Sequence, residues 1–579
     1  MLRVNKSHLQ PALISAVNDL PEKQQSILKH SWAHTFYSEF FARINEEAFS
    51  VLYSNVASRP NIPVNVLLGL ECLKSAFKWS DNDLYYAFCF HVEVRYALGY
   101  DRFGDGDFEL RTLYNFRERL SCYNILHGIN LVSKAFEQIT DEQIAKLNVR
   151  TGMQRMDSTQ IASNIATAHR LSLMVQALQR LERILKDTDK VRLAEIFTPY
   201  TKERSEHYVY RIKGIESVNE QLQVVGQTIY ELLLDLKAVY ANEEAYQILE
   251  RLFNEHYHLL ESGPQIKEYK ELTSSCLQSL DDREATYRTK GSEHYRGYVA
   301  NITETCDPEN ELQLITHIQV APNNVDDCHL LVEALPSLKE RTDVETMITD
   351  GGYGGQATDT ALQEQGVNLI QTAIRGPRPD PNKFQLSDFV VQSDEQGKPV
   401  SITCPQGQTA LVNCTRTGNW QGHFGPDCCI NCPHQLTGRC CAKPHKRDPR
   451  YLLAFTSRQI AVAKRRKEYL IHKHDEANLR ASIEATVRSL KLPFPAGKLP
   501  VRGQFRVTCM VIGSAIMTNV RRIHRYLESS KKPENEPSDT SIGRESSKEQ
   551  SLVSLFRSAE ALFSYWMKSL RYQIEVSWC

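Results

Sequence analysis

The spacing of apolar residues divides the chain into regimes of different period. Over 1–150 it is helical. NIPVNVLLGLECLKSAFKWSDNDLYYAF (61–88) keeps its apolar side chains three to four apart, with Pro63 at a helix start and Ser80 suited to cap a second helix. A polar, Gly-rich turn (FGDGDFE, 103–109) leads into a short helix, RTLYNFRERL (111–120), that carries Arg111, Arg117 and Arg119. RTGMQRMDSTQIA (150–162) changes character, with a short strand predicted to end near Asp157. Long helices return over 164–280, where Leu222, Val225, Ile229, Leu232, Leu236 and Val239 form the stripe of a coiled-coil hairpin.

From 290 the pattern is that of strands. HYRGYVANITETCD (294–307) and ELQLITHIQVAP (311–322) flank the turn DPEN and predict a β-hairpin. DDCHLLVEALPSLKE (326–340) is a helix, and VETMITDGGYGG (344–355) is a buried strand ending at Asp350 before a Gly-rich turn. A helix (357–366) closed by Gly366 and a strand (367–374) follow. The order strand, helical insert, strand, strand, helix, strand, helix, strand predicts an α/β unit with a mixed sheet. Loops, prolines and cysteines fill 376–455. Helices resume from 458 to 491 and from 503 to 528. Residues 529–550 have the composition of a disordered linker, and 551–579 hold a C-terminal amphipathic helix.

Composition narrows this picture only a little. With 579 residues, 41% hydrophobic and 24% charged, the chain is globular and long enough for two to four domains. Its net charge of −1 announces no polyanion, so any basic surface is local. The start lacks an apolar signal core, and the longest apolar run, 508–520, is too short for a bilayer and reads as a buried helix. A cytoplasmic location is expected. Of fifteen cysteines, seven crowd into 404–441, a metal-type cluster rather than a disulfide scaffold.

The chemistry concentrates on three acids. In EANLRASIEATVRSLK (476–491), Leu479, Ile483, Val487 and Leu490 form an apolar stripe. Arg480, Glu484, Arg488 and Lys491 run beside it, about 100° around the helix. Taken alone, that is the pattern of a surface ion-pair ladder. Asp157 and Asp350, each at a predicted strand end before small residues, change the weighting, because strand ends are where α/β sheets hold ligands. Neighbouring aspartates repel unless a divalent cation lies between them, and hard oxygen donors suit Mg²⁺ or Mn²⁺. Two such ions would serve an in-line phosphoryl transfer.

The order of MDST (156–159), ITDGGYGG (348–355) and the Glu484 helix resembles the DDE transposases of bacterial insertion sequences. One branch of that family carries Y-x₂-R-x₃-E-x₆-K. Arg480, Glu484 and Lys491 match it, and Ala477 stands at the tyrosine position. FRERL (116–120), HYRGYVANI and QVAPNNVDD are similar to the family as well. The resemblance implies an RNase H-like catalytic core formed by 151–163, 285–380 and 455–528. Added to it are a helical, DNA-binding N-terminal domain (1–150), a helical insertion (164–284) and a Cys-rich insertion (381–454). It implies that Asp157, Asp350 and Glu484 bind two Mg²⁺ or Mn²⁺ ions. Arg480 and Lys491 would hold transposon-end phosphates, with double-stranded DNA as partner, a homodimer on paired ends and work at the bacterial nucleoid. Arg488, Arg117, Arg119 and the basic run Lys464, Arg465 and Arg466 are further DNA-contact candidates, as is RRIHR (521–525). Cys404, in a CPQG turn, Cys429 and Cys432 as C-x₂-C, and Cys440 could bind a structural Zn²⁺; Cys414, Cys428 and Cys441 stand equally near. A metal-dependent nuclease of the same fold and a non-catalytic DNA-binding descendant are the competing expectations. Glu468, Asp475 and Glu476 are competing third acids that lack the phase shared with Arg480 and Lys491.

Overall fold

The computed structural model describes all residues except 1, 11–14, 55, 57–60, 167, 202–211, 213, 374–379, 395, 446–448, 473–476, 492–496 and 531–579, and the side chains of 471–472 and 477–482. The expected disordered linker beyond Ser530 and the C-terminal helix at 551–579 therefore lie outside the described residues. The chain divides into two units, Met1–Glu528 and Ser529–Cys579, and every strand and every candidate site residue belongs to the first.

The N-terminal helices start where local chemistry satisfies their free N–H groups. Pro63 precedes the helix Val64–Phe77, and Ser80 caps Asp81–Phe90 in a reciprocal capping box with Asp83. The Arg-bearing helix is longer than its sequence pattern suggests: α1, Leu110–His127, ends at Gly128 with φ +67°. Asn130 then caps α2, Leu131–Lys146. Arg341 bridges α2 to the sheet unit through Asp141 at 2.7 Å.

Strand β1, Met153–Ile161, runs four residues past Asp157, so the strand does not end there as expected. Its antiparallel partner holds it extended: β2 (Thr286–Lys290) and β3 (Glu293–Thr305) form a hairpin, and β3 pairs β1 from Tyr298 to Thr305. β4 (Ile315–Pro322) lies on the other edge of β3. After α3 (Asp327–Arg341), β5 (Thr346–Thr349) pairs β1 in parallel. α4 (Gln356–Glu364) then returns the chain to β6 (Asn368–Gln371), parallel to β5. The sheet is thus mixed, in the order β4-β3-β1-β5-β6 with β2 on the end of β3. α3 and α4 cover one face through Met156, Leu331, Leu335, Met347 and Leu362.

Among the described residues three further helices follow: α5 (Ser457–His472), α6 (Ala477–Lys491) and α7 (Gln504–Ser530). The run at 508–520 lies within α7, and its apolar residues from Met510 onward are buried as expected. Residues of β1, β3, β4, α6, α7 and the N-terminal helices share one core. Gly513 makes part of that possible, because a Cβ there would lie 2.7 Å from Ser75 Oγ in the helix Val64–Phe77.

The insert between β1 and β2 packs the helices Arg170–Ile184, Ile215–Tyr240 and Glu244–His256 around their own core. Leu222 to Leu236 of the expected stripe are buried, but Val239 is exposed and Tyr240 takes its place. The segment expected as loops at 376–455 holds a second sheet of six antiparallel strands around Phe389, Ile402, Phe424 and Phe455. Its strands are only two to six residues long, too short for the alternation of a half-buried strand to stand out.

Candidate active site

Two acids lie on neighbouring strands, Asp157 in the middle of β1 and Asp350 just past the end of β5. The parallel register ends at Arg155 beside Ile348, with Asp157 and Asp350 each two residues further along its own chain, and both act on the buried Tyr353. Asp350 caps the short 3₁₀ turn Gly351–Tyr353, accepting from Gly352 N at 2.7 Å, and Asp157 accepts from Ser158 N at 2.8 Å. These backbone bonds help to aim the two carboxylates.

A third acid that the sequence did not single out, Asp327, closes on the pair from the start of α3. Ser158 Oγ donates to its Oδ1 at 2.8 Å, and Arg288 lies 3.8 Å from its Oδ2. A Cβ on Gly352 would sit 2.8 Å from Asp327 Oδ2 and 2.9 Å from Asp350 Oδ1, so the glycine is what lets the two carboxylates share this corner. Burial raises the Asp327 carboxyl above its usual range. The Ser158 bond and Arg288 oppose the shift, and Asp350 adds to it. Beneath the acids Tyr353 is fully buried and donates to Asn301 Oδ1 at 2.7 Å. Its phenol is pushed well up by burial, then by Asp327, Asp157 and Asp350 together. The only sequence signal for Asp327 was its place in QVAPNNVDD, where an acid reads first as a helix cap.

Glu484 arrives on α6, which packs across β1. A buried ion-pair network fixes that helix. Arg155 (6% exposed) donates to Glu304 (0%) at 2.7 Å, Arg522 of α7 donates to the same carboxylate at 2.8 Å, and Thr486 Oγ1 donates to it at 2.8 Å. Thr486 thus faces β3. Glu484, two residues earlier and about 200° around the helix, is exposed on the opposite flank. Lys491, two turns along from Glu484, is half-buried. Burial lowers its pKa, as does Lys290, while Asp157 and Glu293 pull it up.

Among the described residues no three His, Cys, Asp or Glu side chains are grouped closely enough to hold a metal ion. Asp157 and Asp350 both bear on Tyr353, and the structure does not bring Glu484 into one cluster with them. The donor set itself, carboxylate oxygens with no sulfur or imidazole, fits a hard divalent cation.

The basic candidates separate into two groups. Arg117 is committed to the protein, bonding Glu71 at 2.7 Å and Asp81 at 2.6 Å, and its pKa is raised by those acids against the effect of burial. Burial pushes the Asp81 carboxyl up, but Arg117 and Lys74 outweigh it and hold it down at about 2. Arg465 is likewise turned inward onto Asp359 at 2.5 Å, and Arg522 of RRIHR belongs to the Glu304 network. These three pair with acids of the chain itself. Arg119, Lys464 and Arg488 are exposed, Arg466 is half-exposed, and Arg119 lies over the Tyr53 ring at 5.2 Å. The side chain of Arg480 lies outside those described, as do Asp475 and Glu476.

Cys404, Cys432 and Cys440 all act on Cys429 beside the small sheet, though no three of these thiols are grouped closely enough to hold a metal. Cys404 opens a tight turn in which Gly407 N donates to its carbonyl at 2.9 Å; Cys432 N donates to Cys429 O at 3.2 Å, and Cys440 N to His434 O at 2.9 Å. The Cys429 thiol is pushed up to about 11 by burial, then by Cys440, Cys404, Cys428 and Cys432. The described cysteines form no disulfide.

Residues 273–520 match the transposase DDE domain family. The match takes in Asp327, Asp350 and Glu484 and leaves out Asp157 and the N-terminal helices. No curated protein and no solved structure matches the chain. No helix among the described residues is long and apolar enough to cross a membrane.

Proposed function

We propose that the chain is a DNA transposase that cuts the ends of a mobile element and joins the freed 3′-hydroxyl to target DNA. The observation that carries this is that Asp157 of β1 and Asp350, just past the parallel strand β5, both bear on the buried Tyr353, with Asp350 inside a segment similar to transposase DDE domains. The strand order β4-β3-β1-β5-β6, with β3 antiparallel and β5 parallel to β1, supports an RNase H-like core.

Asp157, Asp350 and Glu484 would hold the divalent cations. Mg²⁺ or Mn²⁺ bound there supplies charge for the phosphate in transit and favours the attacking oxygen as its anion. The protein's own share is positioning. Backbone N–H groups orient both aspartates, Tyr353 and Asn301 floor the site, and Arg155, Glu304, Arg522 and Thr486 keep α6 in place. Lys491, Arg488 and Arg480 lie on the same helix as Glu484, where they would take the phosphates flanking the cut. Two ends must be handled together, so a dimer forms on paired ends.

Incubating the protein and Mg²⁺ with duplexes that carry the inverted repeats flanking its gene, together with a supercoiled target, tests this. Cleaved ends covalently joined to target are expected. Hydrolysis without joining would leave a nuclease, and binding without either would leave a non-catalytic DNA-binding protein.

The Cys-rich unit would hold structural zinc through Cys404, Cys429, Cys432 and Cys440. Clustered thiols suppress each other's ionisation, and a cation among them reverses that. About one equivalent of zinc is expected in gently purified protein by elemental analysis, falling toward zero in Cys429→Ser/Cys432→Ser. Less than half an equivalent in the unaltered protein contradicts the site.

A further inference from the structure

α3 begins at two adjacent acids whose carboxylates do different work. Asp326 caps the helix, accepting from Asp327 N at 3.0 Å. The Asp327 side chain, 14% exposed, is turned to the sheet instead. There its Oδ1 accepts from Ser158 Oγ at 2.8 Å, and its Oδ2 lies 3.8 Å from Arg288. The segment that carries it is held from two sides. From β2, Thr286 Oγ1 donates to Asn323 Oδ1 at 2.8 Å, and Arg288 donates to the carbonyls of Asn323 at 3.2 Å and Val325 at 3.0 Å. From the other side, the Cys328 thiol donates to the Gly352 carbonyl at 3.4 Å. Asp327 is therefore an acceptor whose place is set by its neighbours.

Ser158 follows Asp157 in β1. Alternation along the strand puts Ser158 on the face of Met156, which packs with Leu331 and Leu335 of α3. Asp157 falls on the opposite face, that of Arg155, which reaches Glu304. Asp327 thus holds β1 from the side away from Asp157, one residue along. Ser158 N donates to Asp157 Oδ1 at 2.8 Å, so the bond that fixes Ser158 also fixes the amide that aims Asp157. The far oxygen of the same carboxylate reaches the turn of the other aspartate. A Cβ on Gly352 would lie 2.8 Å from Asp327 Oδ2 and 2.9 Å from Asp350 Oδ1, and Gly352 N donates to that Asp350 oxygen at 2.7 Å.

We propose that Asp327 is a positioning residue for Asp157: by accepting from Ser158 Oγ it sets the backbone that aims the Asp157 carboxylate, and it is not itself a ligand of the cation. That Asp157 binds a cation rests on the proposed function; the role of Asp327 goes beyond it.

The test is Mn²⁺ binding to the full chain without DNA, read from the electron paramagnetic resonance signal of the unbound ion. Asp327→Ala, Ser158→Ala, their combination and Asp327→Asn are compared, with metal-free thermal melting to show that each variant folds. Asp327→Ala and Ser158→Ala are each expected to weaken binding about tenfold, the usual effect of removing a group that orients a metal ligand. Both break the same bond, so the double variant should bind no more weakly than Asp327→Ala alone. Asp327→Asn loses the charge but keeps an oxygen that can accept from Ser158 Oγ, so it should bind nearly as the unaltered chain does. Unchanged binding in Asp327→Ala, or losses that add, overturn the positioning role. So does an Asp327→Asn as weak as Asp327→Ala, which makes the residue a ligand through its charge. Should Asp327→Ala fail to fold, Ser158→Ala and Asp327→Asn decide: the first must be weak and the second near normal. If the unaltered chain binds no Mn²⁺, the metal-dependent function falls and this role with it. Binding there that Asp327→Ala leaves untouched defeats the positioning role alone.

Discussion

Replacing Asp157 or Asp350 by Asn is expected to abolish DNA cleavage while leaving DNA binding intact or slightly stronger. Asn keeps the shape of Asp and its capacity to accept the Ser158 or Gly352 N–H bond seen here at 2.8 and 2.7 Å. What it removes is one negative charge from a pair that both bear on the buried Tyr353. A cation held by carboxylates contributes several kcal/mol to the transition state, so each substitution should cost on the order of 10²–10⁴ in rate. Binding should not suffer, since a negative charge facing a polyanion has been taken away. Melting curves give a check independent of activity. Mg²⁺ should raise the melting temperature of the unaltered protein by binding only the folded state, and should do so far less in either variant. Without Mg²⁺ the variants should melt slightly higher, because two neighbouring carboxylates no longer repel. A variant that cleaves at the unaltered rate removes that residue from the catalytic set.

Replacing Glu304 by Ala is expected to destabilise the protein by about 3–5 kcal/mol, the usual result of leaving buried charges without their partner. Glu304 is fully buried and receives Arg155, Arg522 and Thr486 from β1, α7 and α6. Its loss strands two guanidinium groups in the interior and releases α6 from β1. Urea unfolding monitored by far-UV circular dichroism measures the first effect. Loss of cleavage under conditions where the variant is still folded measures the second, since α6 carries Glu484 and Lys491. Substituting Thr486 by Val, which removes its hydrogen bonds to Glu304 and from Arg522 but no charge, should cost about 2 kcal/mol, less than Glu304→Ala. A near-neutral Glu304→Ala would show that the network does not hold α6 in place.

Much of the site was legible because its residues sit where local pattern is strong. Asp350 follows a continuous apolar strand and precedes Gly-Gly, and Glu484 lies in phase with Arg480 and Lys491 beside a clear apolar stripe. Asp327 was not legible, because an acid at a helix start has a local explanation that needs no site. Glu304 and Thr486 were hidden for the converse reason. A buried Glu inside an apolar strand and a Thr inside a helix gain meaning only from Arg155 and Arg522, which reach them from distant parts of the chain. The six short strands at 390–455 gave too little alternation to count.

The sequence by itself determined the burial of 508–520 and the succession of elements outside 376–455, because period, caps and turn residues act over a few positions. Tertiary structure alone decided which charges face solvent. Arg117 and Arg465 looked like DNA contacts and are bound to Glu71, Asp81 and Asp359. Arg119 and Lys464, of the same chemical kind, stay exposed. No local rule separates them, since the energy of a charge is set by what packs against it. The same holds for the acids: the pairing of β1 with β5 put Asp157 and Asp350 on neighbouring strands, and the packing of α3 and α6 placed Asp327 close to them and Glu484 on the flank.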